Sequence, residues 1–146
     1  MVTLLQCGRD GRPLSRLDVM PSELLASCEQ TALFHQRIGY EPPWVSYIAA
    51  EAGCGVGGGA FVGAPREGVV EIAYFTLPQF EGRGYATQTA RALVDIARQA
   101  KPHIILKAFT LPQANASTRI LERLGFKQIG WAQDADAGAV WEWRTS

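Results

Sequence analysis

The spacing of apolar positions divides the chain into helical and extended segments. Leu24, Leu25, Cys28 and Ala32 follow Pro21-Ser22-Glu23 and recur at helical intervals. Ser22 reads as the N-cap, and Glu23 suits the positive first turn. This helix should end near Gly39, ahead of Pro42-Pro43. A second run starts after Gly84: Ala86, Ala90, Leu93, Val94 and Ala97 fall at i, i+4, i+7, i+8 and i+11. Gln88, Arg91, Asp95 and Arg98 alternate against them. The pattern predicts an amphipathic helix of about four turns, stopped by Lys101-Pro102. Ser117, Ile120, Leu121 and Leu124 mark a third helix, with Gly125 where a left-handed cap is wanted.

Strand formers concentrate elsewhere. The predicted strands are Val2–Gln6, Trp44–Ala50, Ala60–Val62, Val69–Thr76, His103–Thr110, Phe126–Trp131 and Ala139–Arg144. The five glycines from Gly53 to Gly59 read as a hairpin turn and a poor strand start. The first half is therefore a helix followed by an antiparallel meander. The strand–helix–strand order from Val69 to Thr110 implies one parallel pair with a right-handed crossover. The expectation is a single α+β domain over residues 1–146, built on a mixed sheet.

Composition narrows the class. A chain of 146 residues, 47% hydrophobic, can bury one core and is too apolar for disorder. Its 14 basic and 14 acidic residues cancel, so no net charge drives non-specific nucleic-acid binding. Fifteen glycines follow no three-residue period. Cys7, Cys28 and Cys54 form no Cys-x-x-Cys, and His35 and His103 stand alone, so no metal site is expected. The N-terminus lacks a signal-like pattern, and no apolar run reaches membrane-spanning length. The expectation is a soluble cytoplasmic protein with reduced thiols and no membrane or nucleic-acid partner.

The segment that points to chemistry is Phe75-Thr-Leu-Pro-Gln-Phe-Glu-Gly-Arg-Gly-Tyr-Ala-Thr87. A strand ends and a glycine-flanked loop opens a helix. Gly82 and Gly84 let the backbone take positive φ and approach a ligand closely. The first helical amides have no intrahelical acceptor and sit at the positive end of the dipole, which suits a phosphate or pyrophosphate. Thr87 adds a hydroxyl and Arg83 a charge. Walker chemistry is excluded because Gly-Lys-Ser/Thr is absent. A dinucleotide fingerprint fits poorly: Thr87 takes the third glycine's place, and apolar Ile104–Leu106 stands where an acid is wanted.

Glu81-Gly-Arg-Gly-Tyr-Ala86, following a strand and opening an amphipathic helix, resembles the acyl-CoA loop of GNAT-superfamily N-acetyltransferases, Gln/Arg-x-x-Gly-x-Gly/Ala. Asn115-Ala-Ser-Thr-Arg-Ile-Leu-Glu-Arg-Leu-Gly-Phe126 resembles the next motif, and is similar to the ribosomal-protein-alanine acetyltransferase-like branch. The resemblance covers roughly Val69 to Phe126 and rests on the two motifs at matching separation. It implies a mostly antiparallel sheet with a central splayed parallel pair and helices on both faces. It implies acetyl-CoA as co-substrate, with no metal. The pantetheine would pair with backbone at Phe75, Thr76 and Leu77, and the pyrophosphate would sit on Gly82, Arg83, Gly84, Tyr85, Ala86 and Thr87. Asn115 and Ser117 would lie near the thioester. Glu81, read as the pattern's first position, carries no ligand role as an acid beside a pyrophosphate. The tyrosine that many members place four residues before Gly-Phe is Leu121 here, so no acid is available from that position.

Acetyl transfer to an amine needs a neutral amine, and a base favours it. Glu71, the one acid in Val69–Phe75, is the candidate; the bland alternative is a solvated strand residue. Ser117 is the candidate partner of the sulfur; its bland alternative is helix capping. Phe34, His35, Tyr40 and Trp44, joined by Trp131, are the candidate walls of an acceptor pocket, each equally readable as packing. The acceptor is a small-molecule amine or a peptide or protein amine. A non-catalytic CoA-binding module of the same fold is the alternative function. The tail strand with Trp141 and Trp143 is either core or the edge of a homodimer.

Overall fold

A computed structural model describes residues Met1–Thr145. Among them the chain runs β1 (Thr3–Gln6), α1 (Ser22–Ile38), β2 (Ser46–Glu51), β3 (Cys54–Phe61), β4 (Val69–Thr76), α2 (Tyr85–Ala100), β5 (Ile105–Thr110), α3 (Ala116–Arg123), β6 (Lys127–Asp134) and β7 (Gly138–Arg144). A single 3-10 turn, Pro78–Phe80, joins β4 to the loop before α2. The strands form one sheet ordered β1-β2-β3-β4-β5-β7-β6. Every neighbouring pair is antiparallel except β4 and β5. Among the described residues no helix is long and apolar enough to cross a membrane.

The period-two alternation of β4 explains the two layers. Val70 and Ile72 are buried with Phe61, Leu93, Leu106 and Leu121 in the main cluster, so this face packs on α2 and α3. The other face meets α1, where Leu24 joins Ile48, Cys7 and Leu77. Glu71, Ala73 and Phe75 alternate onto that second face.

Two local expectations change. Ser22 is the first helical residue of α1 rather than its cap. The Pro21 carbonyl takes the capping position and accepts from the amides of Leu24 and Leu25, each at 3.0 Å. The expected hairpin turn is present at Ala52 and Gly53, both at positive φ, but the poor strand start is not: Gly55, Gly57, Gly58 and Gly59 lie inside β3, the last three paired on both sides. Its glycines are needed for close approach. A Cβ at Gly59 would stand 2.9 Å from Leu93 Cδ1 and 3.1 Å from Thr89 Cγ2. Both residues are buried in α2, so β3 and α2 meet at the distance glycine allows.

α3 is fixed at both ends. Asn115 Oδ1 accepts from Thr118 N and Thr118 Oγ1 accepts from Asn115 N, both at 3.0 Å, a reciprocal capping box. At the far end Gly125 takes φ 88°, and Phe126 N donates to Leu121 O at 2.9 Å as Phe126 re-enters the core.

Two stability outcomes follow. Gly59→Ala overpacks the β3–α2 contact and should cost about 1–3 kcal/mol in chemical denaturation. Asn115→Ala and Thr118→Ala should each cost about 1 kcal/mol. The double variant should cost clearly less than the sum, because both remove one reciprocal cap.

Candidate active site

The β4–β5 ladder is short. It holds Val69↔Ile105, Val70↔Leu106 and Glu71↔Lys107, then stops. Each strand continues with its outer neighbour: β4 stays on β3 to Thr76, and β5 stays on β7 from Lys107 to Thr110. The strands therefore diverge beyond Glu71. Val62 N donates to Glu71 O and Leu77 N to Val56 O, both at 2.9 Å, so odd-numbered residues of β4 turn their backbone groups to β3. The alternation of an antiparallel ladder turns those of Tyr74 and Thr76 into the gap. This corrects the expected pantetheine partners. Thr76 faces the opening, whereas the amides of Phe75 and Leu77 face β3, and Leu77 is itself buried against Leu24.

The gap opens toward the loop before α2. Gly82 and Gly84 take φ 79° and 81°, and Gly84 caps α2 with no side-chain acceptor. Among the described residues, the amides of Gly82, Arg83, Gly84, Tyr85, Ala86 and Thr87 donate to no protein acceptor. Six consecutive free amides at a helix start form a cradle for an anion. They edge a cleft of about 560 Å3 whose walls include Tyr74, Phe75, Thr76, Phe80, Ser117, Arg119, Ile120 and Arg123. Arg119 and Arg123 were missed as candidates. Their signal was the i, i+4 spacing on the helix of the second motif. Arg83 is not in the lining; its guanidinium lies over the Phe80 ring, 5.8 Å from the centroid. Asn115 is also outside the lining, its oxygen held by Thr118. Two buried hydroxyls, Tyr74 Oη and Thr76 Oγ1, have no partner among the described residues. An unpaired buried hydroxyl is costly, so open backbone and orphaned hydroxyls together fit a ligand that brings its own polar groups.

The α1 side of β4 carries two hollows. One, about 540 Å3, lies along α1 between Ser27, Thr31, Phe34 and Arg37 and the strand residues Ala73, Tyr74 and Phe75. Tyr74 and Phe75 line this hollow and the cleft on the other face. The second, about 940 Å3, lies at the pivot of the splay and is lined by Arg37, Trp44, Arg66, Glu71, Lys107 and Arg144 among others. Glu71 is half-buried there. Burial pushes its carboxyl above the usual range, Lys107 pulls it down, and Asp134 and Glu142 push it up.

The expected aromatic walls separate. Phe34 lines the α1 hollow. His35 is buried; its Nε2 accepts from Ser46 N at 3.3 Å, and burial holds its pKa below the ordinary value. The Tyr40 hydroxyl donates to Cys7 O at 2.8 Å. Trp44 is buried edge-on against Phe61, 5.1 Å between centroids, with one edge on the pivot cavity. His35 and Tyr40 thus serve packing between α1 and the sheet, whereas Trp44 packs in the main core and also walls the pivot cavity. Trp131 is 65% exposed on the distant edge strand β6. Among the described residues no cluster of His, Cys, Asp or Glu could hold a metal. One position in the loop pattern also moves. Three residues before Gly82 stands Gln79, not Glu81. Its amide donates to Glu23 Oε2 at 2.8 Å, tying the 3-10 turn to the start of α1.

The fold has many known counterparts. An IAA acetyltransferase from Bacillus cereus ATCC 14579 gives TM-score 0.71 and 17% identity, covering 99% of each chain. A ribosomal L7/L12 α-N-protein acetyltransferase, RimL, solved with coenzyme A, gives TM-score 0.64 and 19% identity, covering 84% of this chain and 71% of that one. YncA from Salmonella typhimurium, solved with acetyl-CoA, gives 0.59 and 21%, covering 86% and 72%. Against another GNAT-family structure the span falls to 64% of that chain. A search of curated proteins finds no match. The profile of the acetyltransferase (GNAT) domain matches residues 18–127, which hold α1, the splayed pair, the amide cradle and α3. The chain belongs to the GNAT acetyltransferase family and is an acyltransferase.

Proposed function

We propose that this protein transfers an acetyl group from acetyl-CoA to a primary amine by direct attack. The observation that carries the reading is the ladder that stops at Glu71↔Lys107 and opens onto six free amides. Acetyl-CoA, when bound, supplies the electrophilic thioester carbon.

The chain's own groups divide the work. The amides of 82–87, with Arg119 and Arg123 in the same cleft, hold the pyrophosphate. The gap-facing backbone of Tyr74 and Thr76 stands in for the missing strand partner of the pantetheine amides. The thioester oxygen gains negative charge as the amine attacks, and a preorganised N–H of Tyr74 or Thr76 is placed to meet it. The amide of Phe75, between them, faces β3 and is not that donor. Ser117, in the cleft wall, hydrogen-bonds the departing sulfur. A thiol is acidic enough to leave without a strong acid, which is compatible with Leu121 lying fully in the core.

The amine arrives from the α1 side, where Glu71 accepts its proton. A carboxyl raised by burial binds that proton more readily than an ordinary glutamate. The sign of the pH dependence follows. Below the raised pKa the carboxyl is already protonated and cannot act as base. The kcat/KM profile should therefore fall on its acid side at a pH above the ordinary glutamate range, about 4.3.

Thiol release should be measured with amines, amino acids, peptides and aminoglycosides as acceptors. Wild type should turn over acetyl-CoA with at least one class. Glu71→Gln should lower kcat/KM about a hundredfold or more and remove the acid limb. CoA binding that is tight, with transfer to no amine, would instead support the non-catalytic module. Arg119→Gln with Arg123→Gln should weaken CoA binding while leaving binding of pantetheine, which lacks the pyrophosphate, nearly unchanged.

A further inference from the structure

The pivot cavity carries a row of charge that acetyl transfer alone does not need. Glu71 on β4 is in register with Lys107 on β5, Lys107 with Arg144 on β7, and Arg144 with Lys127 on β6. Directly paired residues share a face, so one carboxylate and three cations stand in line across four strands. Like charges directly opposite one another destabilise a sheet. Relief is partial: Glu142 holds Arg144 at 2.8 Å, and Lys107 faces Glu71 across the ladder with its ammonium 5.7 Å from the Phe109 ring centroid. Among the described residues the ion pairs within 4.0 Å are Met1–Glu51 and Arg144–Glu142. Among the described residues Lys107 and Lys127 have no carboxylate partner at that distance. The same holds for Arg37 and Arg66, which line the cavity from the end of α1 and from the β3–β4 turn. The cavity's other acids, Glu41 and Glu67, stand on the loops before β2 and β4.

We infer that the acceptor is a small amine that also carries an anionic group, a carboxylate or a phosphate, seated on Lys107 and Arg144 while its amine meets Glu71. This rests on the acetyl-transfer reading and names the substrate class for the same site. Adjacent strands lie about 4.8 Å apart, so Lys107 and Arg144 stand one and two spacings from Glu71. That scale suits a molecule whose amine and anion are a few bonds apart. The cavity, about 940 Å3, is of the size that encloses small ligands. The ligand's anion would relieve the repulsion between Lys107 and Arg144, and its ammonium would give up a proton to Glu71.

Matched acceptor pairs test this: 4-aminobutyrate against butylamine, and aminoethyl phosphate against ethanolamine, each with acetyl-CoA. Wild type should favour the anionic member of at least one pair by tenfold or more in kcat/KM, and the two pairs separate carboxylate from phosphate. Lys107→Gln should shrink that ratio about tenfold, and Lys107→Arg should restore most of it. Equal rates within both pairs, or a preference that survives Lys107→Gln, would overturn the inference while leaving acetyl transfer standing. Direct calorimetric titration of each amine into the protein gives a readout besides turnover. If no amine is acetylated, yet an anionic amine binds and Lys107→Gln abolishes binding, the anion row stands and the transfer reading falls. If no anionic amine binds more tightly than its neutral partner, the anion row falls.

Discussion

The structure depends on the early end of the ladder between its two parallel strands. β4 keeps its bonds to β3 as far as Thr76, and β5 keeps its bonds to β7 as far as Thr110. Between them the parallel ladder ends after three residue pairs, which leaves the gap-facing backbone of Tyr74 and Thr76 without a strand partner. A buried backbone group without a partner is expensive. The open edges are tolerable because a cleft admits water or a ligand to them. The loop amides, the orphaned hydroxyls of Tyr74 and Thr76, and Ser117 all gather around that opening.

Two kinds of electrostatics coexist in a chain with no net charge. On the α2–α3 side the positive potential comes mainly from oriented amides at a helix start, supplemented by Arg119 and Arg123. These amides are fixed by backbone geometry and lose little on binding. On the α1 side the potential comes from side chains arranged by strand register. Glu71 sits between the two regions, at the residue pair where the ladder ends.

Much of this was legible from periodicity. The α2 heptad-like spacing, the strong strand Val69–Thr76 and the Gly125–Phe126 turn all reappear with nearly the expected bounds. The glycine run held the expected turn only at Gly53; the later glycines belong to the strand, because turn chemistry and close packing call for the same residue. Only the distance from Gly59 to Leu93 and Thr89 separates them. The backbone parity of β4 was not legible, because it depends on the register with β3 rather than on β4's own residues. His35 and Tyr40 could not be told from pocket walls by type alone; their hydrogen bonds bind them to the α1–sheet interface, while Trp44 both packs on Phe61 and walls the pivot cavity. Gln79 was a matter of counting, and its contact with Glu23 crosses 56 residues of sequence.

The central claim is that acetyl-CoA occupies the opened ladder and takes its hydrogen bonds from named amides. Amide hydrogen exchange with and without acetyl-CoA measures this directly. The account predicts slowed exchange at Tyr74, Thr76 and the amides from Gly82 to Thr87, with the β3-facing amides of Phe75 and Leu77 changed little. Unchanged exchange at the loop and gap amides under saturating acetyl-CoA, or protection confined to another surface, would contradict it.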